Sequence, residues 1–460
     1  MTRPVNRENL PDSVGAESTD GAQVIGSPTG DETVRAPSER IRWWRDQKLG
    51  VLVTWGPWSQ TEIGIVWHIV LHEPERRDSW FELHRTFDPG AFDPHEWARL
   101  LRAAGVRYAV FTAKHHDGFC NWDTGVTDFK ITNPEVPYSR SPQPDIIRAS
   151  LDAARDHGLG TGIYYSHIDW HHPDGRHFSR RHWDYDESLV ESAPERWRRF
   201  VEFERAQVRE LLTGYGPIDV MWFDLVWPMG EGWGPENRFR TSKHAQVRRD
   251  VADLVRMVRE LVPTIIVNDR GTDRFADYVS PEQRVPETPP DLPWESAITL
   301  SDPYRREIGG FWYKGPDASY KSLDEVLRLM GEVFSKGGNL LLGIGPQPDG
   351  RLPPGEVALL GELASWMDVN AEAVHGTTAS PLREQPDDGF VTAGDRRLYL
   401  WQFDGAQGRQ VRLRVNARVE SARVLGGESV AVEQRDGWTE FVLPDRLPHP
   451  VCSIVRLDVG

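Results

Sequence analysis

Between residues 41 and 375, short runs of apolar residues alternate with longer stretches whose apolar positions recur every three to four residues. The runs at 50–56, 108–116, 160–166, 218–224, 264–270 and 338–344 are apolar on both faces, which suits strands of a parallel sheet covered on either side. The stretches at 94–104, 145–157, 194–212, 244–261 and 323–334 have the helical period and fall between or just before those runs. Repetition of strand then helix predicts an α/β fold, a (β/α)8 TIM-like barrel, a class that spans about 200 to over 400 residues. A doubly wound sheet is the alternative, but no glycine-rich phosphate fingerprint follows any of the runs. From 376 to 460 the period changes to two, as in 398–403, 411–415 and 451–457, with Asp404-Gly405 and Asp436-Gly437 as turns. That pattern predicts a C-terminal antiparallel β-sandwich after the 41–375 barrel. Residues 1–40, rich in Pro, Gly, Ser, Thr and acids, read as a disordered or extended tail.

Composition narrows the partners. Fifty-four basic residues against 70 acidic give a net charge of -16, which argues against a phosphate-tracking surface and so against nucleic acid. Nineteen Trp exceed what a core needs and offer platforms for the apolar faces of sugars. Only Cys120 and Cys452 occur, so no disulfide framework is legible. No signal-like start and no membrane-length apolar run is found, and the expectation is a cytoplasmic protein without a membrane partner.

Candidate chemistry gathers at the strand ends, where barrel active sites lie. Asp224 closes the run Val220-Met221-Trp222-Phe223, and a carboxylate ending a doubly buried strand is a candidate nucleophile. Glycoside hydrolysis needs a second carboxylate across the sugar. Glu282, Glu287 and Glu295 are the candidates, all following the Asn268-Asp269-Arg270 run. His115 and His116 close the second run. Adjacent strand residues point to opposite faces, which disfavours a shared metal and leaves hydroxyl binding as the better role. His167, His171, His172 and His177 read as solvated loop histidines.

Several ordered motifs across residues 41–375 together resemble the α-L-fucosidases of glycoside hydrolase family 29. They include the stretch from Trp44 to Gly56, Phe92-Asp93-Pro94-His95-Glu96-Trp97, Lys114-His115-His116-Asp117-Gly118-Phe119-Cys120, Tyr164-Tyr165-Ser166, Trp222-Phe223-Asp224, Asn268-Asp269-Arg270 and Lys336-Gly337-Gly338-Asn339. The resemblance implies a barrel plus β-sandwich and a retaining double displacement on a terminal α-L-fucose or related α-L-sugar, with no metal or organic cofactor. It implies Asp224 as nucleophile and Glu282 as acid/base, Glu295 being the alternative site. It carries the sugar-binding positions to Thr54, Trp67, His115, His116, Tyr164, Trp222 and Arg270. A retaining pair is expected about 5–5.5 Å apart.

The chain departs from the family pattern at Thr54, where His is usual, at Val66, where Glu is usual, and at Gly343, where Asn is usual. The first two stand where fucose hydroxyls, including the axial one at C4, are normally met. The expectation is weak activity on plain α-L-fucoside and a preference for a sugar altered at C4, such as an L-gluco-configured one. The alternative from another class is a catalytically weak sugar-binding relative. Aglycone, linkage and oligomeric state have no sequence signal.

Overall fold

The six doubly apolar runs, joined by one strand outside them at 295–299, become the staves of a parallel sheet. They are β1 (Leu49–Val53), β2 (Tyr108–Lys114), β3 (Gly160–Ser166), β4 (Val220–Asp224), β5 (Ile266–Val267), β6 (Glu295–Thr299) and β7 (Asn339–Ile344). The computed structural model describes residues 35–61, 79–175, 188–224, 245–272, 275–301, 311–383, 385–386, 388–403 and 405–460. Strand order is β5-β4-β3-β2-β1-β7-β6, all pairs parallel, so β5 and β6 are the edges of the ladder. Residues 277–282 lie between those edges. Tyr278 bridges Asn268, Val279 bridges Trp294 and Glu282 bridges Ala297, each in parallel. Asp277 N donates to Val267 O at 2.8 Å and Glu295 N to Val279 O at 2.9 Å, which closes the ring through an eighth stave. The predicted barrel is therefore present, with two staves, β6 and 277–282, that the apolar pattern does not reveal.

Helices Pro94–Ala103, Ile146–Asp156, Pro194–Gly214, Ala245–Leu261 and Leu323–Ser335 make crossovers between successive strands, and Pro354–Asn370 follows β7. Their starts are written in the sequence. Asp93 accepts from the amides of His95 and Glu96, Asp145 from Arg148, and Ser322 with Glu325 forms a reciprocal cap. The two connections flanking 277–282 hold no α-helix among the described residues. At the N-terminal end of the barrel, helix Ser38–Gln47 places Trp44 with its ring 4.3 Å from that of Tyr278, which plugs the lumen. Leu52, Val110, Tyr164, Val220, Trp222 and Leu341 continue the filling upward, so the lumen is a packed core rather than a pore.

Beyond the barrel, strands from Gly389 to Val459 form a five-stranded and a three-stranded antiparallel sheet. Leu400, Leu413, Val424, Phe441 and Val455 pack together between them, as the period-two pattern predicts. Asp436 and Gly437 both have positive φ, 51° and 78°, the geometry of a tight hairpin turn between Arg435 and Trp438. Strand Arg397–Phe403 is buried on both faces because Trp401 meets Trp366 at 5.2 Å and Phe334 at 6.4 Å on the barrel side. Cys120 and Cys452 are both free and buried. Among the described residues no helix is long and apolar enough to cross a membrane.

Glu356 ties β7 to the helix after it, accepting the Gly345 amide at 3.0 Å. Burial pushes its carboxyl up to about 8. An acid whose folded value lies above its unfolded one binds more protons when folded, so it weakens the fold as pH rises from about 4.5 to 8. Glu356→Gln is therefore expected to raise Tm at pH 8–9 relative to the parent and to change it little near pH 4. A Tm difference independent of pH in paired thermal melts would contradict this.

Candidate active site

Strand alternation decides which side chains reach the barrel mouth. On β4, Val220 and Trp222 face the lumen, so Asp224, the last residue, faces the same way at the C-terminal end. On the eighth stave, Tyr278 faces the lumen, which places Ser280 and then Glu282 on that face, higher up. On β3, Tyr164 lies level with Trp222 and Ser166 with Asp224.

These groups converge. Asp224, only 8% exposed, accepts the Tyr164 hydroxyl on Oδ2 at 2.6 Å and Arg270 Nη1 on Oδ1 at 3.2 Å. The same Arg270 nitrogen donates to Glu282 Oε2 at 2.9 Å. One nitrogen thus bridges the two carboxylates. Arg270 is fixed in turn by Ser280, donating to its Oγ and backbone oxygen at 3.2 Å each, and lies 4.3 Å from the Trp222 ring centroid. Tyr164 stacks on Trp222 at 5.4 Å and on His115 at 5.2 Å. Burial, with Asp224 alongside, holds the Tyr164 hydroxyl well above its ordinary value, so it remains a donor.

The two histidines do not point to opposite faces. A register shift between Thr112 and Lys114 bulges the end of β2, and both histidines follow the last strand residue. Their rings stand 4.2 Å apart, and the His116 amide donates to His115 Nδ1 at 2.9 Å. His116 Nδ1 pairs with Ser166 Oγ at 2.6 Å and its Nε2 lies 3.8 Å from Asp224 Oδ2. Burial lowers His115 well below the ordinary range and His116 to about 3, so both rings are neutral and able to donate and accept. Gly118 completes the turn with φ 87°, and a Cβ there would strike Asp169. Asp169 Oδ2 lies 3.5 Å from Lys114 Nζ while Oδ1 caps the amides of His171 and His172.

The other expected positions are distributed as follows. Thr54 is 3% exposed, and among the described residues its Oγ1 has no hydrogen-bond partner. Trp67 and Val66 lie outside the described residues. Glu287 is exposed. Glu295 begins β6, at the opposite end from the mouth, where it is fully buried and accepts from Tyr108 and Trp222. It shares no hydrogen-bonding partner with Asp224 in the way that Glu282 shares Arg270. The loop histidines differ from expectation: His167 is buried, bonded to Glu204 at 2.6 Å and stacked on Phe223, because it directly follows β3. His171 stacks on Phe129 at 3.9 Å, and His177 lies outside the described residues. Ser166 and Ser280 were not singled out in the sequence. Their two-residue spacing from Tyr164 and Tyr278 is the signal that finds them. Among the described residues no group of three or more His, Cys, Asp or Glu is arranged to hold a metal ion.

A sequence profile of the family described as Alpha-L-fucosidase matches residues 25–372. The chain belongs to the α-L-fucosidase family. Among solved structures of the family, α-L-fucosidase isoenzyme 1 from Paenibacillus thiaminolyticus is 32% identical, with a TM-score of 0.78 over 92% of this chain and 99% of that one. A Bacteroides thetaiotaomicron family 29 α-L-fucosidase is 25% identical, with a TM-score of 0.76 over 95% and 98%. The α-L-fucosidase of Branchiostoma floridae is 25% identical over 418 residues, 85% of this chain and 84% of its own. The motifs read as fucosidase-like in the sequence therefore lie in a fucosidase fold.

Proposed function

We propose that the protein is a retaining exo-glycosidase that releases terminal α-L-fucose through a fucosyl-enzyme ester on Asp224. The observation that carries this reading is the single Arg270 nitrogen shared by Asp224 and Glu282. The bridged oxygens can stand no farther apart than 3.2 and 2.9 Å laid end to end. That proximity places the two carboxyl groups across one small space at the barrel mouth, compatible with the about 5–5.5 Å between groups of a retaining pair. Asp224 attacks the anomeric carbon while Glu282 protonates the departing oxygen. Glu282 then takes a proton from water, which attacks the same carbon and releases Asp224 with net retention. Tyr164 and Arg270 orient the nucleophile, and neutral His115 and His116 suit sugar hydroxyls. A covalent intermediate with 2-fluoro-fucosyl fluoride has been trapped in the Bacteroides thetaiotaomicron enzyme, which supports the same course here.

Purified protein is expected to release the aryl alcohol from an aryl α-L-fucoside, with α-L-fucose as the first sugar product by NMR. No release from a panel of aryl α-L-glycosides would overturn the reading in favour of a sugar-binding relative. A second reading, a sugar altered at C4, has one observation behind it: Thr54, where the family pattern sets His, has a buried hydroxyl without a partner among the described residues. Faster turnover of the C4 epimer than of the fucoside would carry that reading, and a strong preference for fucoside would remove it.

A further inference from the structure

Glu295 is fully buried in a lumen of aromatic and aliphatic side chains, and among the described residues it forms no ion pair. A carboxyl in such a place is unfavourable unless its oxygens are engaged. Both are: Tyr108 donates its hydroxyl to Oε2, and Trp222 donates its indole N–H to Oε1 at 3.3 Å. The indole it holds is the surface on which the reacting groups are assembled. Tyr164 stacks on it with 23° between planes, and the Arg270 guanidinium lies 4.3 Å from its centroid. Tyr164 and Arg270 both donate to Asp224. Glu295 therefore sits at the base of a chain of contacts running Glu295, Trp222, Tyr164 with Arg270, Asp224. Its carboxyl also senses the guanidinium charge, although burial still pushes it up to about 7.

We propose that Glu295 is a positioning residue for glycosyl transfer, acting through the Trp222 indole to set where Arg270 and Tyr164 hold Asp224. The proposal rests on the reading of Asp224 as nucleophile, and it gives the acid on β6 a role other than proton donation. A role confined to stability would lower Tm and the fraction of active molecules while leaving turnover per active molecule intact. A positioning role lowers kcat per active site with KM little changed, because the misplacement is felt in the transition state.

The test is steady-state kinetics on an aryl α-L-fucoside for Glu295→Met, Glu295→Gln, Trp222→Phe and the double variant Glu295→Met/Trp222→Phe. Active sites are counted in each by titration with 2-fluoro-fucosyl fluoride. Glu295→Met is expected to lower kcat per site by about 10- to 100-fold with KM within about threefold, as expected for a misplaced nucleophile. Glu295→Gln keeps an acceptor for the indole and should recover most of that loss. In the Trp222→Phe background, which lacks the N–H, Glu295→Met should cost less than about threefold more, since coupled residues are not additive. Unchanged kcat per site in Glu295→Met, or fully additive losses in the double variant, overturns the proposal. Rescue of Glu295→Met by azide would also overturn it, by making Glu295 the acid itself. Should Glu295→Met fail to fold, Tyr108→Phe takes its place by removing the other donor to Glu295: a fall of about threefold or more in kcat per site sustains the proposal, and no fall overturns it. A parent protein inactive on every aryl α-L-glycoside removes the functional reading together with this one. An active parent with unaffected variants removes this one alone.

Discussion

Asp224→Gly is expected to lower kcat/KM on aryl α-L-fucoside by at least about three orders of magnitude, because it removes the attacking group of the proposed double displacement. The fold should persist, since the substitution removes a buried charge and leaves β4 paired to β3 and β5. Azide should restore part of the activity by entering the space of the lost carboxylate. It would attack from the nucleophile's face and give the β-L-fucosyl azide, of inverted configuration. Near-parental activity in the glycine variant, or an α-configured azide product, would remove Asp224 from the mechanism.

Glu282→Ala separates the two steps. Losing a general acid/base lowers rates by about 10²–10⁴-fold where the leaving group needs a proton. The loss should therefore be largest on a fucosylated disaccharide and small for the first step on an activated aryl fucoside, where an initial burst of aryl alcohol would reveal accumulated intermediate. Azide should speed the second step and give the α-L-fucosyl azide, opposite in configuration to the product from Asp224→Gly. Equal losses on both substrates with no azide effect would take Glu282 out of the acid/base role.

Much of the barrel was legible because β2, β3, β4 and β7 are apolar on both faces over five to seven residues. Two staves were not. The segment 277–282 contains Ser280, Pro281 and Glu282, and β6 begins with Glu295-Ser296, so polar residues and a proline interrupt the apolar run that marks a buried strand. The β5 run was read as seven residues, but its ladder is only Ile266–Val267. The Asn268 side chain takes over, bonding the amide and carbonyl of Phe223 at 2.9 Å each in place of a backbone partner. At the site, residue types and order were readable, and Asp224, Arg270, Tyr164 and both histidines are brought together. Glu282 was preferred over Glu295 only through the resemblance, because the position of each side chain depends on the register of a stave that the apolar pattern hides. The pairing of the histidines was hidden likewise, by a bulge that no residue type announces.

The two carboxylates are mounted differently. Asp224 ends a strand paired with β3 along its whole length and with β5 over Val220 and Met221, extended by the Asn268 side chain, whereas Glu282 stands on a stave joined by isolated bridges, with no flanking α-helix among the described residues. Local opening draws first on regions with few such bonds. Asp224 is therefore anchored by the sheet itself, while Glu282 depends on side-chain anchors such as Arg270 and on the turn at Gln283, whose φ is 53°. A change in that short stave can move Glu282 without disturbing Asp224. The barrel's closing seam is thus the place where one half of the proposed catalytic pair can be relocated by evolution or by engineering while the other half stays put.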